Sequence, residues 1–119
     1  MPTSDGYIKT TSSGSRFMAV FTINDTAYTF SGPLGGSSQP WICTNASVTY
    51  NDVRKDLTSS RPFEGHVGPK KVKFQLDNEV TITGTLDMPI HPPNSVSGTG
   101  SWTSNFQIKN VRDDGVGRV

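Results

Sequence analysis

The stretch FQLDNEVTITG, Phe74 to Gly84, decides the fold class of this chain. Phe74 and Leu76 alternate with Gln75, and Val80 and Ile82 alternate with Thr81 and Thr83. Alternation of this kind marks strands with one buried face. Between the two runs lies Asp77-Asn78-Glu79, whose composition is that of a turn. The loop length follows from the faces. A two-residue loop at Asp77-Asn78 sets Val80 opposite Gln75 and Ile82 opposite Lys73, mixing apolar with polar. A three-residue loop pairs Leu76 with Val80 and Phe74 with Ile82. A one-residue slip turns every side chain to the other face, so the three-residue loop is expected, with Asn78 suited to a positive φ.

An upstream stretch, FTINDTAYTFSG (Phe21 to Gly32), has a similar pattern. Here a two-residue turn at Asn24-Asp25 works, setting Ile23 opposite Thr26, Phe21 opposite Tyr28 and Ala19 opposite Phe30. The likeness extends to SGPL (Ser31 to Leu34) and TGTL (Thr83 to Leu86), each followed later by a tryptophan, Trp41 or Trp102. The physics common to hairpins accounts for these features, with internal duplication the weaker explanation.

Further strands follow outward from the hairpins. Tyr7 to Lys9 and Gly65 to Val67 read as short pieces, Arg16 to Ile23 and Trp41 to Tyr50 as full strands, and Ser101 to Lys109 as the last. Thr, Val, Ser and Gly are plentiful while Ala and Leu are scarce, which suits pleated sheet. The expected fold is one all-β domain over residues 1–119. It is an antiparallel β-sandwich or small closed β-barrel of 7–8 strands, with at most one short helix near 52–58 capped by Asn51. Ser31 to Pro40, Asn51 to Lys70 and Asp87 to Gly100 read as connections, the last as the best binding loop. A turn is expected at Asp114-Gly115 in the tail. Arg16 to Ile23 has apolar residues on both faces, so Met18 and Val20 offer a contact for a homo-oligomer.

Composition excludes several classes. The 119 residues carry a net charge of +1, far from the basic footprint of nucleic-acid binding. No apolar run has the length of a membrane span. The N-terminus lacks a basic start followed by an apolar run, so no signal peptide is expected, and the compartment stays unassigned. Cys43 is the single cysteine, which rules out a disulfide within the chain and reads as a small buried hydrophobe.

No residue pattern assigns catalysis, a cofactor or a metal. Glu64, His66, Asp87 and His91 have the right atoms for a metal but not the spacing of a metal motif. No G-x-S-x-G, P-loop or dinucleotide fingerprint occurs, and Asp113-Asp114-Gly115 is an ordinary turn rather than a calcium loop. Lys70, Lys71 and Lys73 read first as solubility and edge protection. The expected function is non-enzymatic binding of a glycan or small apolar ligand at one loop end. There Trp41 and Trp102 would stack on the ligand, and His91 and Asn94 would supply hydrogen bonds. The alternatives are a small barrel enzyme using His66 or Glu64 in an apolar cavity, and a structural unit assembling through Met18 and Val20.

Overall fold

A computed structural model describes residues 2–34 and 39–106. The strands are β1 (Thr3–Thr10), β2 (Arg16–Ile23), β3 (Thr26–Pro33), β4 (Ile42–Thr49), β5 (Ser60–Val67), β6 (Lys71–Leu76), β7 (Thr81–Thr85) and β8 (Asn94–Phe106). One short helix, α1 (Val53–Asp56), lies between β4 and β5. The strands close an antiparallel barrel in the order β1-β2-β3-β8-β5-β6-β7-β4.

Both hairpin registers are as the face argument requires. Ile23 pairs with Thr26 and Phe21 with Tyr28 across a two-residue turn, with Asn24 and Asp25 at φ 52° and 65°. Phe74 pairs with Ile82, and the Leu76 N–H donates to the Val80 carbonyl at 2.9 Å. The positive φ of the second turn falls on Glu79, at 70°, and not on Asn78. Asn78 instead donates its side-chain amide to the Asp56 carbonyl at 3.1 Å, tying the turn to α1.

Several boundaries differ from expectation, among them the expected short piece Tyr7 to Lys9, which is the full strand Thr3–Thr10. The cap of α1 is Asp52, whose carboxylate accepts from the Arg54 N–H at 2.9 Å, because Asn51 and Asp52 both donate their own N–H groups to Asp56. The supposed connection Asp87 to Gly100 is strand from Asn94 onward. Its small residues hid this: Gly98 and Gly100 sit where a Cβ would crowd Pro33 and Phe30. Ser60 to Gly65, read as part of a connection, belongs to β5. The end of the last expected strand, Gln107 to Lys109, and the Asp114-Gly115 turn lie outside the described residues.

The barrel is one four-strand connectivity used twice. In β1–β4 a meander of three strands is followed by a strand that pairs with the first of them and with the third strand of the other unit. The strands β5–β8 repeat this pattern. The registers superpose, since Gly6 pairs with Phe21 as Gly65 pairs with Phe74, and Gly6 with Ala46 as Gly65 with Val96. A Cβ on Gly6 would fall 1.9 Å from the Val20 carbonyl oxygen, and one on Gly65 would fall 1.9 Å from that of Lys73. These carbonyls are themselves equivalent, each one residue before the paired Phe. The echo of Phe21 in Phe74 is therefore structural. That of SGPL in TGTL is not: Phe30 pairs with Ala19 as Gly84 pairs with Val72, so Gly84 matches Phe30 and not Gly32. Nor do the two tryptophans match, since Trp41 precedes β4 while Trp102 lies well inside β8.

Inward side chains fill the interior. Phe17 stacks on Phe74 with centroids 4.4 Å apart, Phe63 meets Phe17 edge-on at 5.3 Å, and Phe30 lies 5.0 Å from Trp102. Offset and edge-on pairs of this kind add to what burial alone contributes. Ile8, Ala19, Phe21, Val48, Val72, Val80 and Ile82 complete the core.

Candidate functional site

The four residues expected to form a site are not one cluster. Strands β4 and β8 both start at one end of the barrel, since each is antiparallel to a neighbour in the chain β4-β7-β6-β5-β8. Trp41, His91 and Asn94 belong to that end. Trp102 lies eight residues beyond Asn94 along β8, about 26 Å of strand. Its N–H donates to the Ser59 carbonyl at 3.0 Å, near where β5 begins. Both indoles are largely buried, at 7% and 6% exposure, and Trp41 lines a small pocket of about 250 Å³ with Ile42, Met88 and Ile90. The Trp41 N–H donates to Thr10 Oγ1 at 3.1 Å, and its carbonyl accepts from the Thr10 N–H at 3.2 Å, which fixes the residue as a barrel-end plug. His91 and Asn94 are exposed.

A wider recess lies on the outside of the barrel wall. Outward residues alternate with the core along β5, β6, β7 and β4, and the registers bring them into rows. One row runs Ser95, His66, Lys73, Thr83, Ser47, Asp5 across six strands. A second runs Lys71, Thr85, Asn45. Over these rows lie two adjoining open grooves of about 500 Å³ each, sharing His66 and Lys73. The first holds Lys71, Thr83, Thr85, Asn45, Ser47 and Asp5; the second holds Glu64, Gln75, Ser95 and Ser97. A Cβ on Gly84 would be 3.0 Å from the Cys43 Cβ and 3.2 Å from the Cβ of its register partner Ala46, so small residues lie side by side on β4 and β7 here.

The grooves carry hydroxyl, amide and ammonium groups, together with the His66 imidazole and one carboxylate each, Asp5 in the first and Glu64 in the second. Ser47 and Thr83 hydroxyls are 3.3 Å apart, and Thr81 donates to Gln75 at 3.3 Å. Among the described residues the ion pair within 4 Å is Arg61 with Asp77, at 3.9 Å, and it takes no lysine. Lys71 and Lys73 thus stand over the first groove with no carboxylate within 4 Å among the described residues. Edge protection does not explain them, because β6 is paired on both sides. Glu64 and His66 are likewise on the outer face and do not enter the barrel interior.

Beside the groove, the β4 wall carries one strongly organised carboxylate. Asp87 accepts from the Thr44 N–H at 2.9 Å and from the Thr44 hydroxyl, which holds its pKa below the usual carboxylate range. Beneath it, burial and then the charge of Asp87 push the Cys43 thiol up to about 12. The thiol is a core group, not a nucleophile. No group of three or more metal-ligating His, Cys, Asp or Glu occurs among the described residues, and no helix of these residues is long and apolar enough to cross a membrane.

Comparison with protein-family models, with curated proteins and with solved structures finds no match. The reading of the groove therefore rests on its own geometry. The lysine pair was visible in the sequence as Lys71 and Lys73 on one face. What was not visible is which hydroxyls stand beside them, since that depends on pairing β6 with β7 and β7 with β4.

Proposed function

We propose that this protein is a non-enzymatic binding domain for an acidic glycan, held in the outer groove over β4, β7 and β6. The observation that carries this reading is the pair Lys71 and Lys73, with no carboxylate within 4 Å among the described residues, facing a recess of Ser, Thr and Asn side chains that has Asp5 as its one acid. Ammonium groups suit a sugar carboxylate, and hydroxyls and an amide suit its ring hydroxyls. The site differs from the aromatic end expected from sequence, because both indoles are largely buried. A small apolar ligand is the less supported half of that expectation, since the inward phenylalanines pack against one another. Catalysis by His66 or Glu64 lacks the apolar enclosure that reading calls for, both residues lining an open groove on the outer face.

The test is calorimetric titration with a uronate oligosaccharide and with its carboxyl-reduced neutral counterpart. The acidic form should bind and the neutral form should not. Charge-assisted hydrogen bonds are worth roughly 1.5–3 kcal/mol each, so Lys73→Gln should weaken binding about tenfold or more. Equal binding of both sugars, or acidic binding that survives Lys71→Gln and Lys73→Gln together, would refute the reading.

A further inference from the structure

The outer face of β1 and β2 carries a charge order with its own two-fold symmetry. The registers pair Tyr7 with Val20 and Lys9 with Met18. On either side of the Tyr7–Val20 pair, β1 places Lys9 two residues toward one barrel end and Asp5 two residues toward the other. Along β2, Arg16 lies four residues from Val20 toward the Lys9 end, and Asp25 sits in the turn beyond the opposite end of the strand. The middle is apolar: Met18 and Tyr7 are two of the four exposed large hydrophobics among the described residues, at 40% and 37% exposure, and Val20 is half-buried. The flanking outward residues of β3, Thr29 and Ser31, and of β8, Ser101 and Thr103, are uncharged.

From this order we infer that the face binds a second copy of the chain. Two copies pack face to face about a two-fold axis that lies in the interface and runs across the strands. That operation reverses strand direction. It sets Lys9 and Arg16 of one copy against Asp5 and Asp25 of the other, twice over, with Tyr7 and Val20 meeting their own copies across the axis and Met18 packing over Thr22 beside them. An axis parallel to the strands would instead set like charges together. An isologous contact requires a self-complementary patch, and an apolar centre bracketed by opposite charges meets that requirement. The face, four strands about 4.8 Å apart and roughly 20 Å long, is of the order of 400 Å² per copy. This is small for a permanent assembly, so the dimer is weak and reversible.

The experiment is sedimentation velocity of the full chain over a concentration series, with circular dichroism confirming that each variant is folded. The wild type should pass from monomer to dimer mass. Lys9→Glu alone sets a carboxylate at position 9 against Asp5 of the other copy. Asp5→Lys alone sets an ammonium at position 5 against Lys9 of the other copy. Each variant should therefore stay monomeric. An equimolar mixture of the two pairs the new carboxylate with the new ammonium and leaves Lys9 facing Asp5, so it should sediment as dimer. Met18→Glu should be monomeric alone and in mixture. A monomeric wild type throughout, a dimer indifferent to Lys9→Glu or Met18→Glu, or a mixture that stays monomeric would each overturn the inference. The readout is mass, so it stands or falls apart from glycan binding.

Discussion

Replacing Gly65 by Ala should be among the most damaging single-methyl changes in this protein. The added Cβ would lie 1.9 Å from the Lys73 carbonyl oxygen and 3.0 Å from the Phe74 Cα. Real Cβ atoms stay beyond 3.0 Å, so the β5 and β6 backbones must separate by about an ångström or more. The contact is with backbone inside a paired ladder, and no side chain can swing aside. Separation stretches the bonds flanking the Gly65–Phe74 pair, each worth about 1 kcal/mol, and loosens the packing of Phe74. Overpacking a filled core adds about 1–3 kcal/mol. The expected loss is about 3–5 kcal/mol, a large share of the stability of a small domain.

The duplicated connectivity supplies an internal replicate and two controls. Gly6→Ala meets the Val20 carbonyl at the same 1.9 Å and should cost about the same as Gly65→Ala. Gly84→Ala approaches only side chains, at 3.0–3.2 Å, and should cost about 1–2 kcal/mol. Gly98→Ala meets nothing closer than 3.3 Å and should be near neutral. Urea unfolding of the four variants measures the order directly. A Gly65→Ala protein within about 1 kcal/mol of wild type, or no more destabilised than Gly98→Ala, would refute the reasoning.

Three further outcomes rest on single groups. The Trp102 indole N–H is buried without an acceptor among the described residues, so Trp102→Phe should change stability by less than about 1 kcal/mol, relief of that donor offsetting lost area, whereas Trp102→Ala should cost about 3–5 kcal/mol by urea unfolding. Cys43, buried and with its pKa raised to about 12, should resist iodoacetamide in the native protein at neutral pH and react stoichiometrically in urea, as mass spectrometry would show. Asp87 has a lowered pKa in the folded state, so its bonds to Thr44 contribute fully above the ordinary carboxylate value of 3.8 and are lost as pH falls through the lowered one. The gap in Tm between wild type and Asp87→Ala should therefore be present at neutral pH and close in strong acid.

Local periodicity was enough to place the hairpins, because one face of each strand is buried and a register slip would expose it. The turn length at Asp77–Glu79 followed from that argument alone. The residue bearing the positive φ did not, because Asn78 is drawn to the Asp56 carbonyl, a contact with α1 that no local pattern reports. The first half of β8 was missed for a related reason. Ser95, Ser97, Gly98 and Gly100 form a strand because neighbours crowd it, not because its own residues favour one. The places of the tryptophans beside loops point to site residues, while burial by partners distant in sequence, such as Phe30 against Trp102, leaves no local pattern.

The duplicated framework also explains why the two outer faces call for different assignments. Registers equate Asp5 with Glu64, Tyr7 with His66, Met18 with Lys71, Val20 with Lys73, and Thr29 with Thr83. Backbone pairing is alike at each pair, so the side chains set the chemistry. One unit presents Met, Val and Tyr at the positions where the other presents Lys, Lys and His. The apolar version favours contact with another apolar surface, which a second copy of the same face provides. The cationic version is costly to bury against itself and suits a soluble anion. If the faces were exchanged by Met18→Lys with Val20→Lys, self-association should be lost with little loss of stability, because both positions point outward. A dimer that persisted in that variant, by sedimentation, would show that the apolar character of β2 does not drive association.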